Sequence, residues 1–407
     1  MWVERESGTG TPEVGNCSPC GPGLSTSGNS AAPRDLETSP TTVVRRKRSL
    51  LRKAALLALV ILGVLEVLWF LAPPPPSAVE RVYSRGVYPV LTEVTASLGD
   101  LITIPLGASV IIVAGLVVPR TAYRLLRMAR SGMPPRPRRF RRWTRRVAIA
   151  AILIYGLFIV FWGANYRRLP VETQLGLDQE PITAERLRAL AEFLLLSIVR
   201  DLPRPEARQR ERAEEAVRIS FEDWLRRQLG RSAPRLPQRV KTVPPGLLLT
   251  FGTSGMLIPI FNEPVVDAGL SDTARLATAA HEWAHAAGFA GEADADAIGI
   301  LVGLQAPDPY ARYACALTAF YACAAALSGD DRTELIAALP EVARDDLRQA
   351  RNASLRYKRS WLSSLQRGLH DAYLRSQGVS AGVQDYSRAI TLLVRAHAAG
   401  YLVLRDV

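Results

Sequence analysis

Three long apolar runs lie within the first 163 residues and restrict how this part of the chain can fold. They cover residues 54–72, 101–118 and 147–163, and their only charged residue is Glu66. Each run has 17 to 19 residues, close to the shortest helix that crosses about 30 Å of hydrocarbon. A long polar segment precedes the first run, which is typical of an uncleaved signal anchor. We therefore predict three membrane-spanning helices.

The distribution of charge orients these helices. Residues 1–170 hold 23 Lys+Arg and 9 Asp+Glu, a net charge of +14, whereas residues 171–407 carry −1. Because basic loops stay on the cytoplasmic side, the pattern predicts a multi-pass protein of the cell membrane with a cytoplasmic N-terminus. The predicted parts between and beside the spans are a disordered, basic-ended cytoplasmic tail (1–53), an extracytoplasmic loop (73–100), an arginine-rich cytoplasmic loop (119–146) and an extracytoplasmic domain (164–407).

The arginine-rich loop also indicates a partner. Its arginines lie next to predicted spans and outside any nucleic-acid-binding motif. Anionic headgroups attract basic segments placed at the membrane surface. We therefore expect contact with the lipid bilayer and no nucleic-acid partner.

An H-E-x-x-H motif at residues 281–285 indicates metal chemistry. On a helix His281 and His285 are one turn apart on the same face, so both imidazoles can reach one metal ion. Glu282 then points towards the side on which a water molecule would be activated. The motif predicts Zn²⁺ as cofactor, the two histidines as ligands and Glu282 as general base.

Spacing constrains the third ligand. In an unbroken helix Glu292 would lie roughly 10 Å further along the axis, so the helix must end before it. Gly288 and Gly291 stand where such a break is needed. We predict Glu292 as the third ligand, with Asp296 one turn later accepting a hydrogen bond from a ligand histidine. The alternatives for the third ligand are Asp294, Asp296 and His370.

Residues 164–407 are numerous enough for one domain with its own core. Helical periodicity covers 182–201 and 205–229, and nearly everything after Asp296 reads as helical. Two short β-prone runs, 246–251 and 256–260, flank a Gly/Ser turn and predict a hairpin. The predicted fold class is mainly α (α+β), with three transmembrane helices before a zincin-like domain that has a small sheet. An exposed edge near 256–264 would suit an extended peptide.

Five separated segments occur in order along the chain: VERVYSRGVYP (79–89), WGANYRRLP (162–170), FNEP (261–264), the H-E-x-x-H-x-x-G-F-x-x-E stretch, and HDAYLRSQGVSAGVQDYSR (370–388). Together they resemble a bacterial membrane family called domain of unknown function 3810, and the resemblance covers roughly residues 50–400. It implies kinship with zinc peptidases of the H-E-x-x-H type. Tyr386 and His370, within the last segment, are the candidate donors to a tetrahedral oxyanion.

Two other resemblances concern the metal motif itself. The stretch EADAD (292–296) resembles the E-x-x-A-D element of membrane-embedded peptidases, in which the glutamate is the third zinc ligand, although here it follows the second histidine more closely. The metzincin pattern is matched up to Gly288 but has Gly291 where a histidine would stand. Both resemblances imply peptidase chemistry.

Together these features predict a membrane-anchored zinc endopeptidase acting on a peptide or protein substrate. Two alternatives remain open at this stage. One is a non-catalytic membrane scaffold or sensor with structural zinc or none. The other is a zinc amide hydrolase acting on cell-envelope material, because pocket shape rather than the motif decides the substrate.

Overall fold

The computed structural model describes residues 40–130, 137–376 and 386–404. By internal contacts the chain divides into residues 1–55 and 56–407. The first helix, α1 (Pro40–Leu71), begins in the first unit. Residues 40–53, predicted as disordered, are therefore helical. From Arg45 onwards most of them are good helix formers, which continue without interruption into the apolar run. The rest of the predicted tail, 1–39, lies outside the described residues.

Two stretches of the described residues are long and apolar enough to cross a membrane, Lys53–Leu71 in α1 and Arg141–Phe161 in α5 (Pro137–Phe161). They correspond to the first and third predicted spans. The second prediction, 101–118, needs correction, because residues 101–105 are outside any helix and α4 runs over Leu106–Arg130. Pro105 lacks an amide hydrogen and disfavours helix in the residue before it, so α4 starts directly after this proline.

The segment predicted as an extracytoplasmic loop, 73–100, is mostly helical. It contains the short α2 (Pro76–Ala78), a π-helical stretch over Val79–Val87, and α3 (Tyr88–Asp100). Four successive prolines, 73–76, separate it from α1. Its buried side chains include Val79, Glu80 and Tyr88, so this segment packs against the rest of the protein.

The remaining described residues form a mainly helical domain around a small sheet. The helices before the sheet are α6 (Val171–Leu175), α7 (Ala184–Arg200) and α8 (Arg210–Leu229). The helices after it are α9 (Asp272–Ala286), α10 (Glu292–Gly303), α11 (Pro309–Ala326), α12 (Gly329–Ala338), α13 (Glu341–Tyr357), α14 (Ser360–Ser376) and α15 (Tyr386–Ala398). This confirms the mainly helical prediction with a small sheet.

The sheet has three strands in the order β1-β3-β2. Strand β3 (Glu263–Asp267) is fully buried between β1 (Lys241–Val243), which is parallel to it, and β2 (Gly255–Ile258), which is antiparallel. The predicted hairpin between 246–251 and 256–260 is therefore wrong. The buried Asp267 carboxylate accepts hydrogen bonds from four backbone amides, those of Gly246, Leu248, Leu249 and Gly269, and so holds 246–249 in a turn.

The core lies around α9 and α11. Helix α9 packs on β3, α8 and α10, while α11 packs on α7 and α9. The small side chains of α11, such as Ala314, Cys315 and Ala316, are fully buried and allow neighbouring helices to approach closely. The motif helix α9 is therefore held between the sheet and the helical layer.

Candidate metal centre

Helix α9 carries the H-E-x-x-H motif and has well-defined ends. Ser271 precedes it, and the serine hydroxyl accepts a hydrogen bond from the Ala274 amide. At the other end Gly288 takes a φ of +89°, a conformation that suits glycine. The amides of Gly288 and Phe289 then bond back to the carbonyls of His285 and Ala284. The chain therefore turns sharply after His285, as the spacing argument requires.

This turn brings the three predicted ligands together. Glu292 is the first residue of α10, and its Oε2 lies 3.3 Å from His281 Nε2 and 3.7 Å from His285 Nε2. All three ligand atoms lie within 4.8 Å of one another. The side chain of Glu292 remains 34% exposed, so the cluster is open to solvent on one side. Two histidines and one carboxylate around an open position are the ligand set of many catalytic zinc sites.

The other nitrogen of each imidazole is also bound. His281 Nδ1 lies 2.6 Å from Asp296 Oδ1, which is the contact expected for Asp296. His285 Nδ1 lies 2.8 Å from the Phe289 carbonyl oxygen. Because both partners are acceptors, each Nδ1 carries the hydrogen and each Nε2 presents its lone pair to the cluster. Both rings are therefore oriented as metal ligands.

Two of the three alternative third ligands, Asp294 and Asp296, do not join this cluster. Asp294 pairs with Arg388 of α15 at 2.9 Å, and Asp296 is bound to His281. Arg388 also contacts Glu172 of α6 at 2.9 Å. The side chains of His370 and Tyr386 lie outside the described part of the structure, so their predicted roles stay predictions. Sequence reasoning did not find the Arg388 contacts, although Arg388 ends the 370–388 segment.

The charge around the cluster favours a cation. Burial by itself would lower the pKa of His281, but the carboxylates of Asp296 and Glu292 raise it well above its ordinary value. The carboxylates that raise this pKa also attract a divalent cation. The donor types, the orientation of both imidazoles and the local charge therefore all fit zinc.

Glu282 lies beside the cluster and is almost fully buried, with 2% of its surface exposed. Burial raises the pKa of Glu282 to about 7, because the charged form is poorly solvated there. Its Oε2 has no hydrogen-bond partner among the described residues. A Cβ added at Gly255 of β2 would stand 2.7 Å from Glu282 Oε1. Glycine at the start of β2 therefore leaves room for the carboxylate.

Strand β2 lies next to this carboxylate and at the edge of the sheet. It pairs with β3 on one side only, within the part of the chain that the structure describes. Residues 256–258 of β2 fall within the stretch 256–264 where the sequence predicted an exposed edge, whereas residues 263–264 belong to the buried central strand β3. An unpaired edge offers a row of backbone donors and acceptors to an extended chain.

Three residues from the N-terminal segments bind the last turn of α9. Trp162 Nε1 donates to the His285 carbonyl at 3.1 Å, and the Tyr88 hydroxyl donates to the Ala286 carbonyl at 2.8 Å. Arg168 Nη1 donates to the Gly288 carbonyl at 3.0 Å. Carbonyls at a helix end have no partner within the helix, so these donors satisfy the carbonyls at the end of the motif helix α9.

These residues belong to the segments 79–89 and 162–170, whose role the sequence did not reveal. The only signal was that both segments carry the family resemblance. The spacing along the chain, 198 residues between Tyr88 and Ala286, gives no hint of contact. Segments 79–89 and 162–170, which lie next to the candidate spans, therefore help to hold the helix that carries both histidines.

A buried ion pair holds Arg168 in place for its contact with the Gly288 carbonyl. Arg168 donates through Nε and Nη2 to both carboxylate oxygens of Glu80 at 3.0 Å, and the two side chains are only 6% and 4% exposed. Arg85 binds the same carboxylate at 2.9 Å. Burial alone would raise the pKa of Glu80, but the two arginines more than offset it and lower that pKa. The Arg168 guanidinium also lies 4.8 Å from the centre of the Phe289 ring, so it holds the turn from two sides.

Comparison with known proteins gives one match. The family model described as "Protein of unknown function (DUF3810)" matches residues 83–394. No curated protein and no solved structure gives a significant match. The matched range includes the three candidate ligands and all three residues that bind the end of α9.

Proposed function

The chain belongs to the DUF3810 family of proteins of unknown function, and we propose that it is a membrane-anchored zinc endopeptidase. The observation that carries this proposal is the convergence of His281, His285 and Glu292 beside the buried carboxylate of Glu282. A zincin-like arrangement of sheet edge and motif helix is part of the proposal.

The two Nε2 atoms and Glu292 Oε2 would hold the metal. Asp296 and the Phe289 carbonyl keep both rings in the required orientation. Zinc in such a site acts as a Lewis acid towards carbonyl groups and water. The open side at Glu292 leaves room for the scissile carbonyl.

Glu282 supplies the proton transfers. Its free Oε2 accepts a proton from the attacking water as the water oxygen bonds to the scissile carbonyl carbon. The same carboxyl then donates that proton to the nitrogen of the leaving amine as the C–N bond breaks. Its burial is consistent with this role, since a carboxyl whose pKa is close to neutrality both accepts and returns a proton readily.

The substrate would lie along β2. An extended peptide paired with the outer edge of 255–258 runs past Gly255, next to which the Glu282 carboxylate lies. Backbone pairing of this kind fixes the peptide without dictating its side chains. Backbone pairing with the edge strand β2 therefore favours a polypeptide as the substrate.

The topology we propose has three crossings. Helices α1 and α5 pack side by side in the same direction, since Gly63 lies near Ile152, and Leu62 and Glu66 both lie near Gly156. If both cross the bilayer, the chain between them must return through it, and α4 is the segment available for this. With the arginine-rich end of α5 in the cytoplasm, the metal centre faces the outside of the cell membrane. The bilayer is then a constant partner.

Metal content and cleavage of casein or a peptide library by the detergent-purified protein test the proposal. We expect about one zinc per chain and measurable cleavage. Glu282→Gln should keep the zinc and lose cleavage by at least about 100-fold, whereas His281→Ala should lose the zinc. The control Glu206→Gln changes an exposed glutamate and should behave as wild type.

The outcomes separate the other functions. Bound zinc without cleavage of any polypeptide, but with release of amines from cell-envelope material, would favour the amide hydrolase. Cleavage that persists in Glu282→Gln would refute the proposed base. Absence of zinc after metal-replete purification would refute the proposed centre.

A further inference from the structure

We propose that the substrate is itself attached to the membrane and is cut within a few residues of the bilayer, because the metal centre abuts the end of a candidate span and the edge strand abuts the start of α4, the helix proposed to return through the bilayer. This inference rests on the proposed peptidase function. It adds the substrate class, a membrane-anchored polypeptide cleaved in its juxtamembrane segment.

The first observation is the position of Trp162. It directly follows Phe161, the last residue of the candidate span Arg141–Phe161. Its indole donates to the His285 carbonyl, and its ring centre lies 5.8 Å from that of His285. One tryptophan side chain therefore bridges the end of a span and a metal ligand.

The second observation is a cluster of aromatic and basic side chains at the same level. Tyr166 contacts Trp162 edge to face at 5.2 Å, and the Tyr83 hydroxyl donates to the Val160 carbonyl at 2.8 Å. At the end of α1, Arg167 lies over the ring of Trp69. Trp and Tyr gather at the boundary between hydrocarbon and water. This group of aromatic and basic side chains marks that boundary, and Trp162, which belongs to it, contacts the metal ligand His285.

The third observation concerns the other flank of the site. The buried Glu263 carboxylate of β3 accepts the first two amides of α4, those of Leu106 and Gly107, and binds Lys241 at 2.6 Å. A Cβ at Gly107 would come within 2.3 Å of Ile258, the last residue of β2. The edge strand thus ends against the first turn of α4, which we propose as the returning span.

These contacts limit which polypeptides can reach the site. An extended chain spans at most about 3.5 Å per residue, so a bond held at the metal is only a few residues from the boundary. A polypeptide anchored in the same bilayer reaches this position readily, whereas a freely dissolved one must approach the surface first. Attachment also raises the effective concentration of the substrate when its linker spans the gap.

Spacer length tests the proposal directly. The full-length protein is reconstituted in liposomes with a fluorogenic peptide library of eight randomised residues. The library is supplied either free or joined to a dialkyl lipid through a Gly/Ser spacer of about 2 or about 20 residues, with reaches of roughly 7 and 70 Å. Glu282→Gln liposomes are the background control. A soluble broad-specificity protease added outside shows which peptides are accessible from bulk water.

We expect the short-spacer library to be cleaved about tenfold faster than the long-spacer library, since effective concentration falls as a linker lengthens. The free library should be slowest, and the soluble protease should prefer the long spacer. Cleavage of the long-spacer library alone, or equal cleavage of the free library, would overturn the inference while leaving the peptidase function intact. Cleavage of none of the three would overturn the peptidase function and this inference with it.

Discussion

Replacement of Arg168 by methionine should weaken both the fold and the metal centre. The side chain is 6% exposed, and it binds the buried Glu80 carboxylate through two nitrogens and the Gly288 carbonyl through a third. Methionine keeps much of the volume but leaves the carboxylate and the carbonyl without this donor. Removing one partner of a buried pair costs about 3–5 kcal/mol. Because Arg85 still binds Glu80, we expect about 3 kcal/mol.

Thermal unfolding in detergent measures this loss. For a domain of this size, about 3 kcal/mol corresponds to a decrease in apparent Tm of roughly 6–12 °C. The matched control is Arg167→Met, which removes the neighbouring arginine over Trp69 and should cost less than about 1 kcal/mol. The double variant Glu80→Gln with Arg168→Met should recover part of the loss, because no buried charge then lacks a partner.

The zinc affinity gives a second measurement on the same variants. The Gly288 turn connects His285 to Glu292, so loosening it should lower the affinity about tenfold in competition with a chelator, the lower end of the range for supporting residues. Equal effects of Arg167→Met and Arg168→Met on Tm and on zinc affinity would refute the reasoning. So would an Arg168→Met protein that unfolds and binds zinc as wild type does.

Three further predictions concern the residues around the metal. Asp296→Asn should lower the zinc affinity 10- to 100-fold in chelator competition, because the carboxylate that orients His281 is lost; an unchanged affinity would contradict this. Gly288→Ala should cost about 1–3 kcal/mol in thermal unfolding, since φ is +89° there, whereas Gly368→Ala, within α14, should not destabilise. Acid should remove the contribution of the Glu80–Arg168 ion pair to the stability of the folded protein. The folded-state pKa of Glu80 lies below its ordinary value of 4.5, so its contribution is complete above pH 4.5 and lost as the pH falls through the lower value. The Tm difference between wild type and Glu80→Gln should therefore narrow below pH 4.5, and a constant difference would argue against the pair.

The convergence of the three candidate ligands could be predicted because its geometry is local. His281, His285 and Glu292 lie within twelve residues, and helix periodicity together with one required break fixes how they meet. The position of Gly288 indicated the break, and its positive φ provides it. Mainly helical structure and two candidate spans also followed from periodicity and apolar run length.

The parts that the sequence did not reveal depend on distant contacts. The strand pairing joins β3 to β1 and β2 rather than joining the two runs beside the Gly/Ser turn, because the buried Asp267 binds the amides of one of those runs. The contacts of Tyr88, Trp162 and Arg168 with α9 span 198, 123 and 120 residues. Neither periodicity nor motif spacing carries information over such separations.

The hydrogen bonds from Tyr88, Trp162 and Arg168 to α9 have a practical consequence for work with fragments. A soluble fragment beginning at Val171 would look like a complete catalytic domain, since all three predicted ligands and Glu282 lie within it. It would nevertheless leave the carbonyls of Ala286 and Gly288 without their donors, at a cost of about 1–3 kcal/mol for each that stays buried, and would remove one of the hydrogen bonds to the His285 carbonyl. An assay of the proposed function is therefore best made on a chain that includes Tyr88, Trp162 and Arg168.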